Sequence, residues 1–408
     1  MNGLDPAAQA VERAFQSPIY RAMERWIDEH QSEYIQQLIA VTEVPAPPFK
    51  EEARARFVAD AFRQAGLSDV SIDEEGNVVA IYPAGDSQAG TGVPGAGDVL
   101  VISAHLDTVF PEGTDTRVRR EGDRLYAPGV GDNSAHVAAL LFIARGLLQA
   151  GFRPRRDIVF LANVGEEGLG NLRGMRYFYQ RGLGAQRRVA ATLVLDGGIG
   201  FLGTEAVGSR RLSVTYTGPG GHSWSDFGRP SAVHALGRAI AAIAQLKVPK
   251  DPKTTFNVGT VSGGTAVNAI AEQANMVVDM RSVDGAALAQ LEEAVRRAIE
   301  TAAKEEQNID VKIDVVGERP GGRIDPDHPL VRLVEGAAER LGFQLTREAN
   351  STDANIPLSL GLPAVVFGIK KSGGTHTLQE YIEVPSVWGG LRLAVLALLS
   401  TELWLAGN

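Results

Sequence analysis

Residues 99–107 read VLVISAHLD, a run of apolar and small residues that ends in a histidine and an aspartate two positions apart. A continuous apolar run of this length is typical of a strand that is buried on both faces of a parallel sheet. Similar runs recur as DIVFLANV at 157–164, ATLVLD at 191–196 and PAVVFGI at 363–369. Amphipathic helices are predicted between them, so we expect an α/β fold with a mostly parallel sheet covered by helices on both faces.

The pattern changes between residues 208 and 317. There the predicted order is strand, helix, strand, strand, helix, strand, which matches a ferredoxin-like α+β unit complete in itself. We therefore expect a main α/β domain made of residues 1–207 and 318–408, with a smaller inserted domain at 208–317.

The composition excludes several classes of function. Cysteine is absent from the 408 residues, so histidines and carboxylates must bind any metal. The net charge is −9, and no basic run interleaved with aromatic residues is present, so we expect no nucleic-acid partner. No stretch approaches the roughly 18 apolar residues that span a bilayer, and MNGLDPAAQAVERAF lacks the features of a secretory signal. We therefore expect a soluble, cytoplasmic protein without membrane contact.

Charged side chains follow the predicted strands where each strand ends. Because the carboxyl ends of parallel strands share one edge of a sheet, these side chains should lie together there. They are His105, Asp107, Glu166, Glu167, Asp196 and His376. Acidic side chains buried close together repel one another and lose hydration, and both effects are unfavourable unless cations neutralise the charge. The pattern therefore predicts a metal site.

The spacing of His105 and Asp107, and that of Glu166 and Glu167, indicates a role for each residue. Asp107 is two residues after His105, so its carboxylate is expected to accept the proton of the ring nitrogen that faces away from a metal. The adjacent Glu166 and Glu167 point in different directions, so one can bind a metal while the other takes a proton from water. Asp132 precedes a helix in PGVGDNSAHVAALL and, taken alone, indicates an ordinary N-cap.

Five motifs, in this order, resemble the co-catalytic zinc peptidases and deacylases that include peptidase T, glutamate carboxypeptidase, acetylornithine deacetylase and aminoacylase. The motifs are HLDTV at 105–109, GVGDN at 129–133, GEEGLG at 165–170, LVLDGG at 193–198 and GGTHTLQEYI at 373–382. One departure follows Asp132, where the family commonly has Asp-Lys-x-Gly and this chain has Asn133, Ser134, Ala135 and His136. This departure leaves the metal ligands intact but affects the packing beside Asp132.

The resemblance implies a role for each matching residue. Asp132 would bridge two divalent ions, with His105 and Asp196 completing one site and Glu167 and His376 the other. Asp107 would orient His105. Glu166 would be the general base that activates water and then the acid that protonates the leaving amine. In the inserted lid and dimerisation domain, His222 would polarise the scissile carbonyl, and Asn268 and Arg281 would bind the substrate.

The resemblance also implies the function. The chain would be a metallopeptidase that cleaves amide bonds of short peptides, as an aminopeptidase or a carboxypeptidase, with two Zn²⁺ ions that Mn²⁺ or Co²⁺ can replace. One alternative is an N-acyl-amino-acid deacylase of the same family. A second, from another class, is a non-catalytic binding protein on this fold, against which the intact pair Glu166–Glu167 argues. A homodimer through the lid domain is expected, because His222 in such folds often acts across subunits.

Overall fold

The structure is a computed structural model that describes residues 5–85, 97–307 and 309–407. The chain forms two compact units. Unit 1 comprises the residues up to Glu205 and those from Arg323 onward, and unit 2 is Ala206–Gly322. The segment 208–317 that the sequence marks as an insertion lies inside unit 2.

The first part of unit 1 begins with helices and then alternates strands with helices. Its elements are α1 (Pro6–Gln16), α2 (Pro18–Glu29), α3 (Gln31–Thr42), α4 (Glu52–Ala65), β1 (Asp69–Ile72), β2 (Val78–Tyr82), β3 (Val99–His105), β4 (Arg119–Glu121), β5 (Arg124–Tyr126), α5 (Ala135–Gln149), β6 (Asp157–Asn163), α6 (Arg173–Gln180), α7 (Leu183–Gln186), β7 (Val189–Leu195) and β8 (Phe201–Ala206).

Unit 2 is an antiparallel sheet with helices packed on one face. Its elements are β9 (Gly208–Thr217), β10 (Gly221–His222), α8 (Ala232–Ala244), β11 (Thr254–Gly263), β12 (Ala269–Ile270), β13 (Gln273–Ser282), α9 (Gly285–Glu305) and β14 (Asp310–Arg319), with β15 (Gly322–Arg323) at its border. The sheet order β11-β13-β9-β14 is the ferredoxin-like order, which confirms the predicted architecture. Alternate residues of β9, Leu212, Val214 and Tyr216, are buried in the core beneath α8 and α9.

The second part of unit 1 completes the main sheet and its helical cover. Its elements are α10 (Pro329–Arg340), β16 (Thr346–Asn350), α11 (Asn355–Ser359), β17 (Ala364–Phe367), β18 (Lys371–Gly373), β19 (Tyr381–Glu383) and α12 (Val384–Gly407). Strands β18-β19-β5-β4 form a small separate sheet.

The main sheet of unit 1 has parallel strands at its centre. Its order runs β1-β2-β6-β3-β7-β17-β8, with β16 also paired to β8. The pairs β6–β3, β3–β7 and β7–β17 are parallel. Every residue of β3 is buried, since helix α5 contacts this strand while Val99 and Val101 share a core cluster with Met175 and Phe178 of α6. The predicted α/β fold with helices on both faces is therefore confirmed.

Helices α2 and α3 are separated at His30, whose φ is −115°, and α2 packs on α12 whereas α3 packs on α5. One prediction about helices is corrected. Helix α12 is long and apolar enough to cross a membrane by length and composition, although we expected no such stretch. Of its most apolar 18-residue window, 72% is buried within the fold, so its apolar residues form protein core.

Candidate metal centre

His105 is the last residue of β3, where the buried strand delivers an imidazole to the edge of the main sheet. Its Nδ1 contacts the backbone carbonyl of Asp107 at 3.0 Å, and its Nε2 lies 3.1 Å from Oδ1 of Asp132. The carboxylate of Asp107 is 3.7 Å from Nδ1. The backbone carbonyl of Asp107 is therefore the nearer partner of Nδ1, and the carboxylate that we expected in this place lies just beyond hydrogen-bond distance.

The Asp107 carboxylate instead holds the backbone of the glutamate pair. Its two oxygens accept the amide hydrogens of Glu166 at 2.9 Å and Glu167 at 2.8 Å. Asp107 is fully buried, and Glu166 and Glu167 are 5% and 7% exposed. Asp107 therefore positions the loop that carries both glutamates.

Asp132 lies in a turn that a buried carboxylate organises. The oxygens of Glu380 accept the amide hydrogens of Gly129 at 3.1 Å, Gly131 at 2.8 Å and Asp132 at 2.7 Å. Gly129 has a φ of 75°, a conformation that glycine adopts without strain. The side chain of Asp132 makes no N-cap hydrogen bond to the following helix, so the cap interpretation is wrong for this residue.

Three chain segments meet around Asp132. Its Oδ1 faces Nε2 of His105, and its Oδ2 lies 3.2 Å from Nε2 of His376, which is 3.0 Å from Oε1 of Glu167. The potential ligand atoms of His105, Asp132 and Asp196 lie within 4.8 Å of one another, as do those of Asp132, Glu167 and His376. Asp132 is shared by these two sets, with one oxygen turned to each histidine. A third set, formed by His105, Glu166 and Glu167, lies beside them.

The imidazoles and carboxylates of this arrangement shift one another's pKa values. Contacts with Asp132 and Glu167 raise the pKa of His376 to about 10. Burial lowers the pKa of His105, but the contacts with Asp107 and Asp132 outweigh it and leave the pKa well above its usual value. Burial, together with the charge of Asp132, raises the pKa of Asp196 to about 6. The cluster thus attracts cations, and its nitrogen and oxygen donors are those that bind zinc, so the residues fit a metal centre.

The residues predicted in the lid lie in unit 2, whereas the cluster is built from unit 1. Strand β10 pairs with β12 so that His222 is opposite Ala269, next to Asn268. His222 and Asn268 are both exposed. Arg281 lies on β13, where its Nε donates to Oδ2 of Asp279 at 2.8 Å. The structure therefore brings His222 and Asn268 together and gives Arg281 a partner within the sheet.

Sequence reasoning missed several buried polar residues beside the cluster. Glu380 follows His376 by four residues, in a motif that we quoted without assigning it a role. Lys370 is 2% exposed, and no motif pointed to it. The side chain of Asp353, which is 1% exposed, accepts a hydrogen bond from Asn163 at 2.8 Å. Burial is the signal in each case, and it is visible only in the fold.

Comparisons with known proteins identify the family of this chain. The sequence profile of a family described as Peptidase family M20/M25/M40 matches residues 101–400. Acetylornithine deacetylase of Myxococcus xanthus is 27% identical over 360 residues, which are 83% of this chain and 88% of that protein. Carboxypeptidase G2 of Pseudomonas sp. (strain RS-16) is 25% identical over 351 residues, 82% of each chain. The structure of aminopeptidase PepT from Bacillus cereus ATCC 10987 is similar with a TM-score of 0.74 and 22% identity, covering 91% of this chain and 98% of that one.

Proposed function

The chain belongs to peptidase family M20/M25/M40, and on that premise we propose that it hydrolyses amide bonds of short peptides at the cluster around Asp132. It is a metal-dependent hydrolase that acts on peptide bonds, as its family and relatives indicate. The observation that carries the proposal is that the two carboxylate oxygens of Asp132 face different histidines, His105 and His376, in two sets of potential ligands. A carboxylate placed in this way can serve both ions of a two-metal site.

We assign the ligands from these two sets. His105 and Asp196 would hold one ion, Glu167 and His376 the other, and Asp132 both. Zinc is the proposed metal because imidazole and carboxylate donors suit it, and Mn²⁺ or Co²⁺ would occupy the same donors. Divalent ions bound there would polarise the scissile carbonyl and make water a stronger nucleophile.

Glu166 is the proposed general base. The attacking water oxygen forms a bond to the carbonyl carbon, while Glu166 accepts the proton that the water loses. The same carboxyl group then returns this proton to the nitrogen of the leaving amine as the C–N bond breaks. Burial of Glu166 and the tether of its backbone to Asp107 support this role, because they hold the carboxylate in a defined position next to the ligand Glu167.

His222 is proposed to donate a hydrogen bond to the oxyanion. Its Nδ1 accepts the amide hydrogen of Trp224 at 3.2 Å. In the neutral ring, the proton inferred from this hydrogen bond is then on Nε2, which is the donor that the role requires. Asn268 and Arg281 remain the proposed substrate-binding residues. The contact between Arg281 and Asp279 means that Arg281 would bind a substrate carboxylate in competition with that aspartate.

The substrate class has two candidates. In the family that the motifs resemble, either an aspartate or a glutamate stands at the position of Asp196, and the aspartate is more like the peptidase and carboxypeptidase members. The relative named acetylornithine deacetylase instead supports a deacylase of N-acyl amino acids. A panel of di- and tripeptides with free and blocked termini, together with N-acetyl amino acids, separates these. Cleavage of peptides only when the N-terminus is free would identify an aminopeptidase, and dependence on a free C-terminal carboxylate a carboxypeptidase. Release of acetate from N-acetyl amino acids alone would identify the deacylase.

We also propose a homodimer through the lid domain. Trp224 and Phe227, in the turn after His222, are 87% and 90% exposed, and Val267 is fully exposed. Large apolar side chains exposed close together often mark a protein interface. Analytical ultracentrifugation of the whole chain would give the oligomeric state, and a monomer at micromolar concentration would contradict this part of the proposal.

The test of the function as a whole combines metal analysis with the substrate panel. We expect about two metal ions per chain after dialysis in trace zinc, and hydrolysis that a chelator abolishes and zinc restores. Two bound ions without hydrolysis of any substrate would favour the non-catalytic binding protein instead. Failure to bind metal would contradict the proposal itself.

A further inference from the structure

A chain of buried polar contacts joins the turn of Asp132 to the turn of Asp196. Asn133 donates from Nδ2 to the carbonyl of Leu195 at 3.1 Å. Its Oδ1 contacts Nδ1 of His136, and Nε2 of His136 accepts the amide hydrogen of Ile369 at 3.3 Å. Since Nε2 is an acceptor, we infer that the ring proton is on Nδ1 and is donated to Asn133. The residue after Asp132 is thereby connected to both neighbouring strand ends.

Lys370, which follows β17, makes a further contact with the turn of Asp196. Its Nζ donates to the carbonyl of Gly197 at 2.8 Å and to Oγ of Ser372 at 3.2 Å. The backbone follows the same path, because Asp196 donates its amide hydrogen to Phe367 at 3.1 Å and Ile199 donates to Lys370 at 2.9 Å. The residues that follow β7 are therefore fixed to the residues that follow β17, with Lys370 as the side-chain link.

The two turns approach each other closely at this point. A Cβ atom at position 368 would be 2.3 Å from the carbonyl oxygen of Gly197, so only glycine fits there. A flexible lysine buried in such a tight place loses both its hydration and its side-chain freedom. Its hydrogen bonds and the nearby carboxylates of Asp132, Asp196 and Glu380 offset part of that loss, although burial still lowers the pKa of Lys370.

We propose that Lys370, with Asn133 and His136, is a positioning residue that holds Asp132 and Asp196 at the separation needed to share one metal ion. The inference rests on the proposed function, in which both aspartates are ligands. The contacts make this arrangement present before an ion binds, since they connect protein groups to one another. Lys370 itself binds no metal, because its ammonium group is a donor and carries positive charge.

The positive charge of Lys370 makes the proposal testable by the sign of one effect. If Lys370 acted only through its charge, removing it would strengthen metal binding, because like charges repel in a site of low polarity. If Lys370 positions the ligands, removing it weakens binding, typically by 10- to 100-fold for residues that orient metal ligands. The two explanations predict changes in opposite directions.

The experiment compares Lys370→Met with Lys371→Met in the full chain. Lys371 is the next residue and is exposed, so the second variant makes the same change of charge without touching the buried contacts. Zinc dissociation constants are measured by competition with a chromogenic chelator, and Co²⁺ absorption bands report the ligand geometry. We expect a roughly 10- to 100-fold weaker zinc site and altered Co²⁺ bands for Lys370→Met alone. Unchanged or tighter zinc binding in Lys370→Met would overturn the proposal.

A second variant covers the case in which Lys370→Met does not fold. Asn133→Ala removes the hydrogen bond to Leu195 without a change of charge, and we expect it to weaken zinc binding in the same direction. Wild-type affinity in Asn133→Ala would overturn the proposal equally. If the wild-type chain binds two ions and hydrolyses peptides while both variants bind like the wild type, only this inference fails. If the wild-type chain binds none, the proposed function has failed.

Discussion

The acids of unit 1 and unit 2 have different partners. In unit 2, Asp279 accepts hydrogen bonds from Arg211 at 3.0 Å and Arg281 at 2.8 Å, and these two arginines outweigh burial and lower its pKa. In unit 1, the ion pairs of Asp132 within the described residues are with His105 and His376. An arginine is always charged, whereas a histidine must first take up a proton. Asp279 is thus neutralised by arginines of its own sheet, whereas the histidines that pair with Asp132 are charged only when protonated, and the positive charge of nearby Lys370 is shared with Asp196 and Glu380.

The two sheets explain this difference. Strand β3 is buried along its whole length, so it carries ionisable groups only at its end, where His105 emerges. Strand β13 alternates between buried and half-buried residues, so Asp279 and Arg281 lie on the same outward face. A half-buried face accommodates a complete ion pair. At the carboxyl ends of buried parallel strands, potential metal ligands lie together instead.

Among substitutions in the two units, the largest loss of activity is expected from Glu166→Gln. The amide cannot accept a proton, so we expect kcat to fall by about 10²- to 10⁴-fold while two metal ions remain bound. Peptidase assays with metal analysis of the same sample measure both. Glu293→Gln in unit 2 is the matched control, since Glu293 is an exposed residue on α9. Retained activity in Glu166→Gln would remove the catalytic role from Glu166.

Metal removal should affect unit 1 and spare unit 2. A ligand present at about a thousandfold above its dissociation constant stabilises the folded state by about 4 kcal/mol, which a chelator would take away. Hydrogen exchange resolves the two units, and we expect faster exchange at the amides of Gly131 and Asp132 with no change in β9 and β13. Equal loss of protection in both units, or none in either, would contradict the difference described above.

Replacing an aspartate by asparagine should change thermal stability in opposite directions in the two units, and by a smaller amount. The folded-state pKa of Asp196, about 6, lies above its ordinary value of 3.8, so the ionised carboxylate destabilises the metal-free fold at neutral pH. We therefore expect Asp196→Asn to raise the thermal midpoint in chelator, fully above about pH 6 and not at all below about pH 3.8. Asp279→Asn should cost on the order of 1 kcal/mol with or without metal, because it removes the partner of two arginines.

Calorimetric scans of both variants between pH 3.5 and pH 7.5, with chelator and with zinc, measure this difference. Zinc should reverse the order for Asp196→Asn, since the variant loses a ligand. If Asp196→Asn is less stable than the wild-type chain in chelator at pH 7, charge repulsion at Asp196 does not destabilise the metal-free fold.

The smallest effect on stability is expected at the exposed turn of unit 2. Trp224→Ser should change the free energy of unfolding by no more than about 0.5 kcal/mol, because 87% of this side chain is exposed. The same substitution should weaken the proposed dimer, which sedimentation at several concentrations would detect. An unchanged dimer would exclude Trp224 from the interface, and a large loss of stability would show that the residue packs within its own unit.

Residue patterns alone are enough to predict the fold class and most of the candidate ligands. Continuous apolar runs identify strands buried on both faces, and such strands can place charged residues only at their ends. His105, Glu167, Asp196 and His376 were found in this way, because each follows a predicted strand or its turn. Asp132 needed the family resemblance, since a single aspartate before a helix also fits a cap.

The groups that support these ligands can be identified only in the folded chain. The sequence assigned the carboxylate of Asp107 to His105, but in the fold it holds the backbone of Glu166 and Glu167. Glu380 organises the turn of Asp132 from a position 248 residues away, and Lys370 reaches Gly197 across 173 residues. Residue patterns record local periodicity, whereas these contacts depend on how the chain returns to one edge of a sheet. A buried polar group must find its partner wherever packing brings one, and no spacing in the sequence specifies that place.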